Sequence, residues 1–142
     1  MNDVVLNKKE SIERCVKQVR TYYNLPGERP FAEDNLRQDA VALNLQRACE
    51  QCIDLANYVI RVRKLGLPKD SRESFRLLAS NRIIPDDLAK KLEGMVGFRN
   101  ILVHEYQRMD FNLLIDVIEK RLDDLLHFVD LIFRGFANES GL

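Results

Sequence analysis

Apolar residues recur at three- and four-residue spacings along most of the chain, the pattern of helices that bury one face. The first predicted helix runs from about Asp3 to Tyr22. Its apolar positions are Val5, Ile12, Cys15, Val16 and Val19. The segment from Asn24 to Pro30 ends it, because its prolines cannot continue the helical hydrogen bonds and Pro26-Gly27 favours a turn.

A second, longer helix is predicted from Asp34 or Asn35, both good capping residues, to about Lys64. Its apolar positions are Leu36, Ala40, Val41, Leu45, Ala48, Cys52, Leu55, Ala56, Val59 and Ile60. An apolar face this broad is typical of the central member of a helical bundle.

Three further helices follow along the chain. A short one runs from Ser71 to about Leu78 after a capping signal at Asp70, and the next opens at Pro85. The last runs from Phe111 to about Phe136, and residues 138–142 are expected to fray. The sequence therefore predicts an all-α fold, an up-and-down bundle of four long helices plus a short one, in a single domain over residues 1–142.

The stretch from Gly94 to Tyr106 departs from this pattern. It sets Arg99, Asn100, His104 and Tyr106 among apolar residues. Glycines 94 and 97 precede them, and a glycine inside a helix costs about 1 kcal/mol relative to alanine. A segment that breaks local consistency in this way is a candidate functional site.

Arg99 and His104 are five residues apart, which corresponds to about 140° around an ideal helix. Their side chains meet if the helix ends or bends near Val103, or if a second copy of the chain contributes across a twofold axis. Asn100 and His104 are four apart and share a face. Tyr106 joins them only if the chain leaves helical geometry at that point.

These residue types suit RNA cleavage without a metal. The ribose 2′-hydroxyl must lose a proton and the leaving 5′-oxygen must gain one, and an imidazole with a pKa of about 6.5 serves either step. A guanidinium holds phosphate through a planar fork. In the alternative interpretation, His104 caps a helix C-terminus and Arg99 pairs with an acid such as Glu105 or Glu93.

Charge and composition limit the functional classes to which this chain can belong. The 22 basic and 22 acidic residues balance, so the chain lacks the strongly positive field of dedicated nucleic-acid binders, and an RNA contact must use a local patch. No apolar run is long enough to span a membrane, and no secretory signal is visible. Three sparse cysteines suit a reducing compartment, so a cytoplasmic protein is expected.

Other candidate residues have simpler explanations. Cys49 and Cys52 lie mid-helix, and the sequence has no second Cys/His pair at a suitable spacing. We therefore expect the two cysteines to pack in the core and not to bind a metal. His127 has no motif around it and is expected to be structural or exposed. The run from Arg61 to Lys64 either stabilises a helix C-terminus or forms a patch for the RNA backbone.

The run from Gly97 to Tyr106 resembles the signature of HEPN-domain toxins of the HepT type: arginine, four residues, histidine, one residue, tyrosine, with asparagine after the arginine. The segments Ser71–Phe75 and Ile83–Pro85, and the chain length and helix order, are also similar to that family. The resemblance implies a helical bundle that acts as a homodimer, with the Arg-His pairs lining a cleft between the protomers. It also implies a ribonuclease that needs neither metal nor cofactor.

Carried onto this sequence, the resemblance makes Arg99 and His104 the catalytic pair and Asn100 an orienting neighbour. Such toxins are paired with an antitoxin, a nucleotidyltransferase of the MNT type that transfers AMP onto the motif tyrosine, here Tyr106. Each added nucleotide would place bulk and negative charge beside a cleft that must accept an RNA phosphate.

A rival hypothesis comes from a different class. The chain is then a non-catalytic helical binding module that supports a nucleotidyltransferase partner, and its polar motif holds a nucleotide or accepts a modification. This hypothesis predicts a tight complex and nucleotide binding without turnover of RNA.

Overall fold

The computed structural model describes residues 2–27 and 29–140, so Glu28 of the first connector and residues 141–142 of the expected tail lie outside the described residues. The described parts contain six α-helices and two short 3-10 turns, and the all-α prediction is confirmed. The helices are α1 (Asp3–Tyr23), α2 (Asn35–Arg63), α3 (Ser71–Ser80), α4 (Asp86–Glu105), α5 (Phe111–Lys120) and α6 (Leu122–Ser140). The 3-10 turns are Phe31–Glu33 and Tyr106–Arg108.

Helix α2 is the centre of the bundle and packs against α1, α3, α4 and α6. All five predicted apolar positions of α1 are buried, and most of those of α2 are too. Leu36 is the exception: it was expected inside, but it is 81% exposed because it lies in the first turn of α2, at the edge of the bundle. The edge-to-face pair Phe75–Phe128, with ring centroids 5.4 Å apart, joins α3 to α6 within the core.

Aspartate caps set the helix starts where the sequence predicts them. Asp34, Asp70 and Asp110 each accept a hydrogen bond from a backbone N–H in the first turn of α2, α3 and α5. These bonds satisfy donors that have no partner within the helix. At the other end of α2, Lys64 is left-handed with φ 56°, and Gly66 has φ 135°, a conformation that favours glycine.

The prediction of one continuous helix from Phe111 to Phe136 is wrong, because the chain breaks at Arg121 into α5 and α6. Lys120 ends α5, and Asp123 and Asp124 form the first turn of α6. Cations at a helix C-terminus and anions at the next N-terminus favour such a break. Helix α6 is assigned as far as Ser140, and the expected fraying of the tail stays a prediction.

None of the helices in the described ranges combines the length and apolar character that crossing a lipid bilayer requires.

Candidate active site

Helix α4 carries Arg99, Asn100 and His104 on one unbroken segment. It continues to Glu105, so the helix does not end at Val103. Regular geometry stops at Glu105, with φ −139° and ψ 24°. Arg99 and His104 therefore project about 140° apart from the same helix. Of the two routes by which the predicted catalytic pair could meet, this divergence along one helix favours the contribution of a second copy.

The Arg99 side chain is half-buried and reaches toward α2, where its charge acts on the thiol of Cys49. Its Nε is buried and has no hydrogen-bond partner among the described residues. Glu93, a possible ion-pair partner, binds Arg76 Nε at 2.7 Å instead. No ion pair joins Arg99 to Glu93 or Glu105 in the described part of the chain, so the predicted pairing of Arg99 with either of these acids is wrong. A buried donor without a protein partner is available to bind water or a ligand group.

His104 is exposed in the last turn of α4, and Asn100 is half-buried one turn earlier on the same face. The imidazole is therefore open to a substrate, and the amide is close enough along the helix to orient a shared ligand. The last-turn position is also compatible with the interpretation in which His104 stabilises the helix C-terminus. Geometry within one chain does not separate these two roles.

Tyr106 begins the 3-10 turn that follows α4, so the chain does leave α-helical geometry there. This departure is the condition under which Tyr106 was expected to join the other motif residues. Its phenol donates a hydrogen bond to Asp39 Oδ1 on α2 at 2.8 Å. Burial, followed by the hydrogen bond to Asp39 and the charge of that carboxylate, raises the pKa of Tyr106 well above its ordinary value. Asp39 was not singled out from the sequence, because an acid on a charge-rich helix gives no local signal of a partner 67 residues away.

A cleft of about 380 Å³ opens beside this contact. Its walls combine amide and carboxylate side chains with apolar ones, and the Tyr106 ring forms part of it. The lining residues are Asn35, Gln38, Asp39, Tyr106, Gln107, Met109, Phe111 and Leu114. A volume of a few hundred Å³ is in the range of small-ligand sites.

Gly97 allows a second cation to approach the helix that carries the motif. A Cβ at this position would lie 2.9 Å from Nη2 of Arg72 on α3, closer than real contacts allow. The guanidinium therefore rests against α4 one turn before Asn100. A Cβ at Gly94 would have nothing within 4 Å, so the role of Gly94 differs from that of Gly97.

The remaining candidates have structural explanations. Cys49 and Cys52 are buried, and burial raises the pKa of Cys49 to about 12, so the thiols pack as neutral groups as expected. His127 is exposed, one of the two expected outcomes. The guanidinium of Arg61 stacks over Tyr58 at 5.5 Å and that of Arg63 over Phe136 at 4.5 Å. Whether this end of α2 also binds RNA stays a prediction.

Comparison with known proteins identifies the family. The model of the family described as Ribonuclease HepT-like matches residues 12–132. The chain belongs to this family. The predicted resemblance to HEPN toxins of the HepT type is confirmed, and so is the predicted class of enzyme, a ribonuclease.

Individual HepT-like relatives agree with this assignment. The chain is 44% identical over 132 residues to the mRNA nuclease HepT of Shewanella oneidensis, covering 93% of this chain and 98% of that protein. It is 34% identical over 68 residues to the tRNA nuclease HepT of Aphanizomenon flos-aquae, covering 48% and 46% of the two chains. The solved structure of the tri-AMPylated Shewanella oneidensis HEPN toxin in complex with an MNT antitoxin superimposes with a TM-score of 0.87 at 43% identity, covering 94% of this chain and 99% of that one.

Proposed function

We propose that this chain is the toxin of a toxin–antitoxin pair, that it cleaves RNA without a metal, and that two copies form its active site. One observation carries the proposal: Arg99 and His104 lie about 140° apart on one unbroken helix, with a buried Arg99 Nε that has no partner among the described residues. Each chain therefore presents two halves of a site that do not meet. A twofold axis would place the Arg99 half of one copy beside the His104 half of the other.

Exposed apolar side chains on α2 and on α4, the helix that carries the motif, support a homodimer. Leu36 and Leu43 are 81% and 45% exposed and flank Asp39 on one face of α2. Val103, next to His104 on α4, is 45% exposed. Large apolar residues that are grouped around a candidate site are typical of a surface that a partner covers. A second copy is the occupant that would also complete the Arg-His pair.

In the proposed reaction His104 moves protons and Arg99 binds the phosphate. The imidazole takes the proton of the 2′-hydroxyl or gives one to the departing 5′-oxygen. The Arg99 guanidinium holds the phosphate oxygens through paired N–H donors as negative charge builds up on them. Asn100, on the face of His104, orients the imidazole or the bound phosphate.

RNA is the proposed substrate class, and the cytoplasm is the compartment in which the chain would act on it. The two relatives act on different RNAs by name, one on mRNA and the other on tRNA. The greater coverage of the Shewanella protein favours mRNA. With zero net charge, binding must depend on local cations, and Arg72 beside Gly97 is well placed to supply one.

We further propose that an MNT-type nucleotidyltransferase antitoxin silences the chain by adenylylating Tyr106. The related Shewanella toxin is tri-AMPylated and in complex with its MNT antitoxin. In this chain Tyr106 lies two residues after His104 with its hydroxyl at the wall of the cleft. Each AMP group on that hydroxyl would add a phosphodiester charge that repels RNA phosphate from the site.

The decisive experiment uses antitoxin-free protein whose intact mass shows an unmodified Tyr106. We expect it to degrade total RNA in excess EDTA, and we expect His104→Ala and Arg99→Ala each to lower the rate on the order of 100-fold or more. His127→Ala is the matched control, because this histidine is exposed on α6 away from the motif, and it should keep the wild-type rate.

Two results would contradict the proposal. Equal cleavage by the wild type, His104→Ala and Arg99→Ala would place the activity in a contaminant or at another site. Absence of cleavage by the unmodified wild type, together with tight nucleotide binding, would favour the non-catalytic binding module. Circular dichroism of each variant should match the wild type, since none of the three substituted side chains belongs to the buried core.

A further inference from the structure

The Asp39–Tyr106 contact joins two distant parts of the chain at the edge of the cleft. Asp39 lies on the exposed face of α2, and Tyr106 opens the 3-10 turn after the motif helix. Their oxygens are 2.8 Å apart, the usual length of a hydrogen bond from a hydroxyl to a carboxylate. No lysine or arginine of the described residues pairs with Asp39, so its charge is not neutralised by a neighbour.

A tyrosine hydroxyl is a poor nucleophile without help. At its ordinary pKa of about 10, roughly one phenol in 1,000 is ionised at pH 7. In this chain burial and the neighbouring carboxylate raise the pKa of Tyr106 further, so that free phenolate is rarer still. Attack on a phosphorus atom therefore needs a group that removes the proton as the new bond forms.

We propose that Asp39 is the residue of the toxin itself that positions Tyr106 and accepts its proton during adenylylation. This inference rests on the proposed function, in which Tyr106 is the acceptor of AMP. Asp39 is the acid in direct contact with the hydroxyl, and its hydrogen bond fixes the orientation of the Oη lone pairs. The antitoxin then needs to supply the nucleotide and its phosphate-binding groups, while the toxin supplies an activated acceptor.

The bonds and charges of the step balance. Tyr106 Oη forms a bond to the α-phosphorus of a nucleoside triphosphate held by the antitoxin. The bond from that phosphorus to the β-phosphate oxygen breaks, and its electron pair leaves with pyrophosphate. The phenol proton moves along the existing hydrogen bond to Asp39 Oδ1. The product is a tyrosyl phosphodiester of AMP beside a protonated carboxyl, which then returns its proton to water.

The surroundings of the contact leave room for this step. The ring of Tyr106 and the Asp39 carboxylate both line the open cleft of about 380 Å³. Amide side chains of Asn35, Gln38 and Gln107 line the same cleft and offer hydrogen bonds to a ribose or a base. A nucleotide can therefore approach Oη without displacing the core.

The role of Asp39 is limited to the first AMP. The related Shewanella toxin is tri-AMPylated, whereas Tyr106 offers a single hydroxyl oxygen, which is used up after one transfer. Any further AMP must be attached to another hydroxyl, on the nucleotide already attached or on another side chain, and that hydroxyl does not have the Asp39 contact of Tyr106. A residue that merely keeps the 3-10 turn folded would affect every AMP addition alike. Comparing the rate of the first addition with the rates of later ones therefore tests the role of Asp39.

The experiment mixes purified chain with its nucleotidyltransferase antitoxin and MgATP and follows each AMP addition by intact mass. We expect Asp39→Asn to slow the first addition on the order of 100-fold, the usual contribution of a general base, and to leave the second addition unchanged. Asp39→Glu should recover part of the rate. Asp54→Asn is the matched control, because this exposed acid lies on the same helix but outside the cleft, and it should behave as the wild type.

The pH dependence gives a second readout. In Asp39→Asn the nucleophile must come from spontaneous ionisation of the phenol, so the ratio of wild-type to variant rate should fall as pH rises from about 7 to 9. A ratio independent of pH, or equal slowing of all additions, would overturn the assignment in favour of a structural role. Equal rates in both proteins would place the base on the antitoxin. If the wild type itself gains no AMP while Tyr106 is intact, the proposed adenylylation fails instead.

Discussion

Arg37 is a buried cation that organises the connection between α1 and α2. It is 8% exposed, and its guanidinium donates to the Asp34 carboxylate and to the carbonyl oxygens of Tyr22, Tyr23, Leu25 and Arg29. A planar group with five donors can satisfy so many acceptors at once, and lysine cannot. The bond from the Arg37 backbone, followed by the one from its side chain, lowers the pKa of Asp34. This fixed connection places the start of α2, and with it Asp39.

Replacing Arg37 should therefore destabilise the fold although no core residue is lost. We expect Arg37→Met to lower the free energy of unfolding by about 2–4 kcal/mol, because it leaves a carboxylate and several carbonyl groups without their donor. Arg20→Met is the control: its ion pair with Asp123 is also short, at 2.8 Å, but exposed, and it should cost less than about 1 kcal/mol. Urea unfolding at one protein concentration measures both. Equal losses would mean that burial of Arg37 is not what matters.

At the level of the helices, the sequence predicts those helix boundaries that are set by nearby capping residues and prolines. The Asp34, Asp70 and Asp110 caps and the prolines before α2 and α4 place the helix starts within a residue. The break at Arg121 escaped prediction because the apolar stripe continues through Val117, Ile118, Leu122 and Leu125 on both sides of it. The charge reversal from Lys120 to Asp123 was the available signal.

The residues of the candidate site likewise fall into those that the sequence could predict and those that it could not. The motif residues Arg99, His104 and Tyr106 could be found because they are close together in the sequence and break an apolar pattern. The partner of Tyr106 could not, because Asp39 is 67 residues away and is brought near by the packing of the whole bundle. Helical spacing did predict that Arg99 and His104 diverge, and that divergence is what calls for a second copy.

The two glycines of α4 give a prediction at the scale of the helix. Gly94 is exposed, with nothing within 4 Å of a Cβ, so Gly94→Ala should raise the free energy of unfolding by about 0.5–1 kcal/mol through reduced freedom of the unfolded chain. Gly97→Ala should gain less, because its methyl group must displace the Arg72 guanidinium 2.9 Å away. Thermal and urea unfolding of the two variants compare them directly. A larger gain at Gly97 would mean that Arg72 does not rest against α4.

At the scale of the whole molecule, the proposed division of Arg99 and His104 between two copies would concentrate the function of a neutral protein at an interface. The 22 basic and 22 acidic residues give no overall attraction to RNA. Pairing two copies would double the number of Arg99 and His104 side chains around one cleft and concentrate local positive charge there. It would also cover Leu36, Leu43 and Val103 if the interface includes the exposed faces of α2 and α4.

This arrangement predicts that two inactive variants restore each other. If Arg99 of one copy works with His104 of the other, a mixed dimer of Arg99→Ala and His104→Ala holds one complete site and one doubly defective site. After subunit exchange at equal concentrations, half of the dimers are mixed, so the RNA cleavage rate should recover to about one quarter of the wild-type value. Each variant alone, taken through the same exchange, is the control. If the pair acted within one chain, every mixed dimer would lack a complete site and mixing would restore nothing. Native mass spectrometry of the mixture, which resolves the three dimers by mass, separates that outcome from a failure of the subunits to exchange.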